Sequence, residues 1–269
     1  MQKYKVQNSV LKNYIKFFWE INADYLELNH KIIPVRNIDL KFNLSETPHY
    51  LQFNNNRYLL EEVYFSGLQD HFRNARILLK GKAQVLGICF QPEGFYPFIK
   101  IPVSEFKNQL LGVEEIGFYP ARTIIERLKE AQNTTERLSI LEKELISILD
   151  SKIQTPASFQ QLFNSFEQNE SSMSIGEFCF QNNIGERKLE RLFNKFIGIS
   201  AKGYSMLNRF QNSVKQLMYN EYSKLSDIAF DNEYFDQMHY IRDFKRFAGV
   251  TPKQFVDQNN SMLHVGKSG

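Results

Sequence analysis

The chain has 269 residues, 42% hydrophobic and 14% aromatic, enough for packed cores in two domains of ordinary size; global disorder is excluded. Net charge is only +3, from 33 Lys+Arg and 30 Asp+Glu, so charge alone identifies no nucleic-acid binder. No run of 18 apolar residues occurs and the first residues lack the pattern of a secretory leader, so the expected location is the cytoplasm, with no membrane partner.

Residues 1–118 read mostly as strand. Lys31–Leu44 alternates apolar and polar residues through Ile38, Leu40, Phe42 and Leu44, the strand period. Arg57–Gly67 and Ala83–Phe90 look alike, and Pro92-Glu93-Gly94 marks a turn. A short helix is expected near Val103–Asn108. Cys89 and Cys179 stand in apolar surroundings and read as buried thiols, a disulfide between them being the lesser alternative. Phe17, Phe18 and Trp19 read as core or, less readily, as the lining of a ligand pocket. His71, Arg73 and Arg76 are an anion site or, by preference, a solvated loop.

From Pro120 the period becomes helical. Ala121–Ala131 and Thr134–Leu149 carry apolar residues at helix spacing, with a cap at Asn133-Thr134-Thr135-Glu136. Leu138, Leu141, Leu145 and Ile148 form either a dimer seam or a face packed on the strands. Ser151–Pro156 is the linker candidate, and a helix over Ala157–Gln168 follows. From 171 to about Asp257 the chain reads as helical, broken at Gly198, Asn220–Lys224 and Gly249. The tail from Gln258 is expected to fray.

This last third repeats itself. Glu190–Tyr204 aligns with Ile241–Phe255 at a shift of 51, keeping Arg191/Arg242, Phe193/Phe244, Phe196/Phe247, Gly198/Gly249 and Lys202/Lys253. Each copy holds a short helix, a tight joint and a longer helix. The first runs Ser174–Gln181, Asn182-Asn183-Ile184 and Gly185–Ile197; the second runs Ser226–Asp231, Asn232–Phe235 and Asp236–Ala248. That plan is a helix-turn-helix used twice. Ala201–Tyr219 reads as one connecting helix. Opposite the apolar stripes, the first longer helix carries Arg187, Glu190, Arg191 and Asn194, and the second carries Met238, His239, Arg242, Lys245 and Arg246. Arginine can grip guanine or clamp a phosphate; Asn and His reach bases or phosphates. A solvated face is the alternative for either helix alone; an arginine at the matched position of both favours DNA.

Residues of about 171–257 resemble the DNA-binding domain of AraC/XylS-type bacterial transcription regulators. The likeness rests on Ile228-Ala229, Asp236-Gln237, His239, Arg242-Asp243-Phe244-Lys245 and Gly249-Val250-Thr251-Pro252. Arg187-Lys188-Leu189, Arg191, Phe193, Gly198 and Arg209 add to it. The resemblance implies base or phosphate contacts from Arg187, Glu190 and Arg191 in one reading helix, and from Gln237, Met238, His239 and Arg242 in the other. The chain departs from the family at Glu233, where Gly is usual, at Gly185, where Ser or Thr often caps, and at Ala201, where Pro is frequent. Ile33-Pro34, Asp39–Leu44, Gly67 and Gly87–Gly94 resemble the sensor-like domain of some AraC-type regulators, which implies a small barrel-like fold followed by helices.

The expectation is an α+β protein. Residues 1–155 form a mostly-β, barrel-like sensing or oligomerising domain with following helices. Residues 156–258 form an all-α domain of two helix-turn-helix units joined by a linker helix, and 259–269 a flexible tail. The function expected is sequence-specific regulation of transcription on double-stranded DNA. RNA polymerase, a small-molecule effector and a second copy of the chain are its candidate partners. No catalytic site, cofactor or metal site is expected: the five histidines make no His-x-His or His-Glu-x-x-His pattern, and no Cys-x-x-Cys occurs. The alternatives are a small-molecule enzyme or ligand-binding protein whose helical part is a protein-interaction module.

Overall fold

The longest strand, β2 (Ile15–Ile32), runs antiparallel beside β7 (Ala75–Phe90) over almost its whole length. The computed structural model describes residues 1–149, 155–169, 173–219, 223–257 and 262–263. β7 is the spine of the sheet. Its other edge takes β4 (Tyr50–Phe53) along the first half and β3 (Asp39–Asn43) along the second. Beyond β3 come β6 (Val63–Ser66) and β8 (Leu110–Gly112); β1 (Gln2–Tyr4) lines the outer edge of β2. β5 (Asn56–Leu59) makes a hairpin with β4, turning at Asn54, whose φ of 54° suits asparagine. Met262–Leu263 runs parallel to the end of β2; the rest of the tail lies outside the described residues.

Two strand expectations need correction. Lys31–Leu44 is not one strand: β2 stops at Ile32 and β3 starts at Asp39. Pro34 falls between them, with no N–H to offer a ladder. Arg57–Gly67 likewise divides into β5 and β6 around Leu60–Glu62. Ala83–Phe90 is the second half of the longer β7, and the helix expected near Val103 is a single tight turn, Val103–Phe106.

Period-2 alternation gives the sheet two unlike faces. Phe18, Leu40, Phe42, Phe65, Leu86 and Ile88 point to one side, fully buried. Helices α1 (Tyr96–Ile99), α2 (Pro120–Glu130) and α3 (Thr134–Ile148) contribute to the same core through Phe98, Ile124, Leu128, Leu141 and Leu145. Asn133 caps α3 as expected, its Oδ1 accepting from the Glu136 amide at 2.9 Å. Because Leu141 and Leu145 are fully buried inside the chain, they are not available as a dimer seam. Trp19, Val85 and Cys89 point to the other side and make a separate small cluster with Phe17 and Ile21. Both cysteines are free and buried.

Residues 151–154 of the expected linker lie outside the described residues; Thr155 is buried, and its Oγ1 donates to the Glu93 carbonyl at 3.1 Å. Helix α4 (Ala157–Asn169) then lays Phe159, Phe163 and Phe166 against Phe193, Phe196 and Tyr204. These edge-on and tilted ring contacts are the arrangement that aromatic quadrupoles prefer. Among the described residues, no helix is long and apolar enough to cross a membrane.

Candidate nucleic-acid interface

Four helices and a connector build the repeated unit. α5 (Ile175–Gln181) and α6 (Glu186–Phe196) form the first copy, α8 (Leu225–Asp231) and α9 (Gln237–Ala248) the second, and α7 (Ala201–Tyr219) joins them. α10 (Pro252–Asp257) follows. Two of the starts have a side-chain cap. Ser174 and Glu177 form a reciprocal capping box on α5. Asp236 caps α9, its Oδ1 accepting from the His239 amide at 2.7 Å. Gly185, at the start of α6, offers no side-chain cap.

The two turns share one backbone plan. Ile184 donates its amide to the Cys179 carbonyl, and Tyr234 does the same to Ala229, at 3.0 and 2.9 Å. Asn183 and Glu233 hold the matched left-handed position, with φ of 49° and 58°. Up to this point the copies differ by 50 residues; from the caps onward, Gly185 to Asp236, they differ by 51. The extra residue is Phe235. It is 93% exposed and stands directly before the α9 cap. Phe180 and Phe230, matched positions on α5 and α8, are also exposed, at 88% and 83%. Residue types alone did not single out these three aromatics; the unequal joint lengths were the available signal for Phe235.

Leu189, Phe193 and Phe196 of α6 and Tyr240, Phe244 and Phe247 of α9 are buried, as their spacing predicts, while Leu192 of the same stripe is half-buried. Arg187 and Arg191 on α6, and Gln237, Met238, Arg242, Lys245 and Arg246 on α9, are exposed. Three candidates are only half exposed. Asn194 donates its amide to the Glu190 carbonyl at 2.9 Å. The Glu190 carboxyl lies near the Ala201 amide at the start of α7; burial raises its pKa and that amide opposes the rise. His239 sits against the Tyr234 ring, with its Nε2 3.5 Å from Asp243. Arg209 is a packing residue, its guanidinium over the Tyr234 ring and donating to the Glu233 carbonyl at 3.3 Å.

Arg187, Gln237 and Met238 lie toward the starts of α6 and α9, and Arg191 and Arg242 at their middles, while the ends of both helices dock on the N-terminal half. Phe196 meets the Tyr96 ring edge-on at 4.9 Å, and the Lys195 ammonium lies over that ring at 5.1 Å. The Phe72 amide donates to the Arg246 carbonyl at 3.0 Å. Gly198 and Gly249 end the helices with φ of 98° and 72°. A Cβ on Gly198 would fall 2.9 Å from Val103 Cγ1, and one on Gly249 would overlap the Phe72 ring. Arg36 Nη1 adds a further tie at 3.5 Å from Glu167 on α4.

The architecture defines a double helix-turn-helix domain packed on a β domain. Residues 179–258 match the family described as "Helix-turn-helix domain", and residues 8–112 match a "Domain of unknown function (DUF6597)". The C-terminal part is thus a helix-turn-helix domain by its family match, and it is similar to HTH-type transcriptional regulators. It is 27% identical over 154 residues to the HTH-type transcriptional activator RhaR of Yersinia pseudotuberculosis, covering 52% of this chain and 53% of RhaR. It is 22% identical over 178 residues to the uncharacterized HTH-type transcriptional regulator YtdP of Bacillus subtilis, covering 61% of this chain and 23% of YtdP. The match thus spans about half the length of RhaR and less of YtdP. Among solved structures, ToxT from Vibrio cholerae aligns over 89% of this chain and 96% of its own, at 11% identity and a TM-score of 0.44. The AraC-like transcriptional activator CuxR aligns over 77% and 79%, at 11% identity and a TM-score of 0.30.

Proposed function

We propose that this protein is a sequence-specific DNA-binding regulator of transcription, with α6 and α9 entering successive major grooves of an asymmetric site. One observation carries the reading: two equivalent helices bury the same apolar stripe and expose Arg191 and Arg242 at matched positions. Such helices read bases with residues near their starts, which here carry Arg187, Gln237 and Met238. α7 has 19 residues and so spans about 28 Å at 1.5 Å per residue, the scale of the roughly 34 Å between successive grooves. Lys245 and Arg246 stand nearer the helix end, where a phosphate contact suits them better than a base.

Residues 1–155 act as the controlling domain and 156–258 as the DNA-binding domain. The N-terminal half grips the ends of both reading helices, so a small molecule bound there can bias how the readers are held. RhaR is named a transcriptional activator, which favours activation here, with RNA polymerase as protein partner; a second copy of the chain is a further candidate. The test is a gel shift of the full chain on DNA flanking its own gene, at fixed salt, with nonspecific competitor. A retarded band that survives competitor supports the reading. No band at any salt concentration favours the protein-interaction alternative.

A further inference from the structure

The sheet face away from the core carries a feature that alternation alone does not explain. Asp39 and Lys41 lie on the polar side of β3, the side that ordinarily meets water. Here Asp39 is only 2% exposed. Together with His49, 3% exposed, and Tyr64, these residues line a cavity of about 120 Å³. The remaining wall is almost entirely apolar, with Ile21, Leu28, Ile77, Leu79 and Val85 among its residues. Trp19, the one tryptophan of the chain, completes it. Its indole fills the space across from Gly87, where any side chain on residue 87 would overlap it.

Three polar atoms in this wall make no well-formed hydrogen bond among the described groups: Asp39 Oδ1, His49 Nε2 and the Trp19 indole N–H, although the indole and the Cys89 thiol both face the Asp39 carboxyl closely enough to interact with it. Buried polar atoms rarely go without partners, because each costs about 1–3 kcal/mol when left so. The other contacts orient them. Asp39 Oδ2 lies 3.9 Å from the Lys41 ammonium, and His49 Nδ1 pairs with the Tyr64 hydroxyl at 3.2 Å. Burial keeps His49 neutral, at about 4.

We propose that this cavity binds a compact, uncharged molecule of roughly single-ring size that carries one hydroxyl group. The size follows from the volume, since roughly 150 Å³ lined by aliphatic residues accommodates benzene. The absence of charge follows from the Asp39–Lys41 pair, which already balances itself; an ionised guest would bring an unpaired charge into an apolar wall. The hydroxyl follows from the unpartnered atoms. It donates to Asp39 Oδ1, and its oxygen accepts from His49 Nε2 when that nitrogen carries the proton. Gly67 and Gln69 are also in the wall, and the chain runs on from them to Phe72, the residue that covers Gly249. The inference rests on the proposed role of the N-terminal half as a small-molecule receiver.

The test uses the full chain with phenol as probe, and toluene and benzoate as controls. Trp19 fluorescence, excited beyond the phenol band, reports from the cavity itself, and calorimetry gives the stoichiometry. The expected result is saturable one-to-one phenol binding that shifts the Trp19 emission, with toluene and benzoate each about tenfold weaker or more. Asp39→Asn, verified as folded by circular dichroism, is expected to weaken phenol by a similar factor. Toluene binding as tightly as phenol would overturn the role of the polar atoms, tighter benzoate would overturn the neutral class, and no saturable phenol signal would overturn the site. A gel shift with and without phenol separates this from the regulatory reading. Binding without any change in DNA affinity leaves the site standing and removes its role in control.

Discussion

Phe72, from the N-terminal half, lies across Gly249, the residue that ends the second reading helix. Its amide also donates to the Arg246 carbonyl one turn earlier. Gly249 meets two demands at once: a left-handed backbone and room for the ring. Gly249→Ala is therefore expected to lower stability by more than the roughly 1 kcal/mol that φ alone costs. Combining it with Phe72→Ala should recover the part owed to overlap. Urea unfolding of the single and double variants measures this; losses that add within about 0.5 kcal/mol would mean that the two residues do not interact.

Arg191→Ala and Arg242→Ala are each expected to weaken specific DNA binding by about 1–3 kcal/mol and to relax preference at one base position. Lys245→Ala should instead weaken all sequences alike and reduce the salt slope by about one unit. Gel shifts on specific and unrelated DNA, across a salt series, separate the two. Equal losses on both DNAs for Arg242→Ala would assign that arginine to phosphate.

Phe235 is an exposed aromatic ring at the start of the second reader. An apolar side chain in a major groove can touch the thymine methyl group. Phe235→Ser should weaken binding to the specific site without altering thermal stability. The loss should shrink when deoxyuridine replaces thymine at one position of that site.

Glu233 holds a φ of 58° in the second turn. Glu233→Gly should relieve that strain and stabilise the protein by about 1 kcal/mol, read as a raised urea midpoint. Asn183, at the matched position, tolerates the same backbone more easily, so Asn183→Gly should change little.

His49 gives stability a pH signature. Burial lowers its pKa from 6.5 to about 4, so between those values the unfolded chain binds a proton that the folded chain does not. The contribution is complete above 6.5 and declines as the pH falls toward 4, by at most about 1.4 kcal/mol per pH unit. His49→Gln should flatten that part of the stability profile. Asp70 acts lower: burial opposes its ionisation, but the Asn108 amide, His71 and Lys107 outweigh burial and hold it near 2 rather than 3.8. Its contribution is lost below 3.8, so the two windows do not overlap.

The reading helices were legible in the sequence because repetition supplied a second copy of each pattern. Phe193 and Phe244, or Gly198 and Gly249, mean more as pairs than singly. The β half offered no such check. β2 carries no single alternation of apolar residues; its pairing with β7 slips between Ala23 and Leu26, which resets the phase of the side chains. The alternation through Leu40 and Phe42 placed Asp39 and Lys41 on the opposite face, but strand period does not say what covers a face. Only the fold of β2 and β7 around them does. The contacts of Gly198 and Gly249 with Val103 and Phe72 join segments more than ninety residues apart in sequence, beyond the reach of any local pattern.

The residue inserted at Phe235 makes the two halves of the repeat unexchangeable. With caps, exposed side chains and joint lengths all different, neither reader can stand in for the other. A chain of this kind, seated on DNA as proposed, has a front and a back. It would settle on its site in one direction only, and its N-terminal half would always be carried to the same side. Reversing the site relative to the gene would therefore reverse the face that the regulator turns toward the start of transcription.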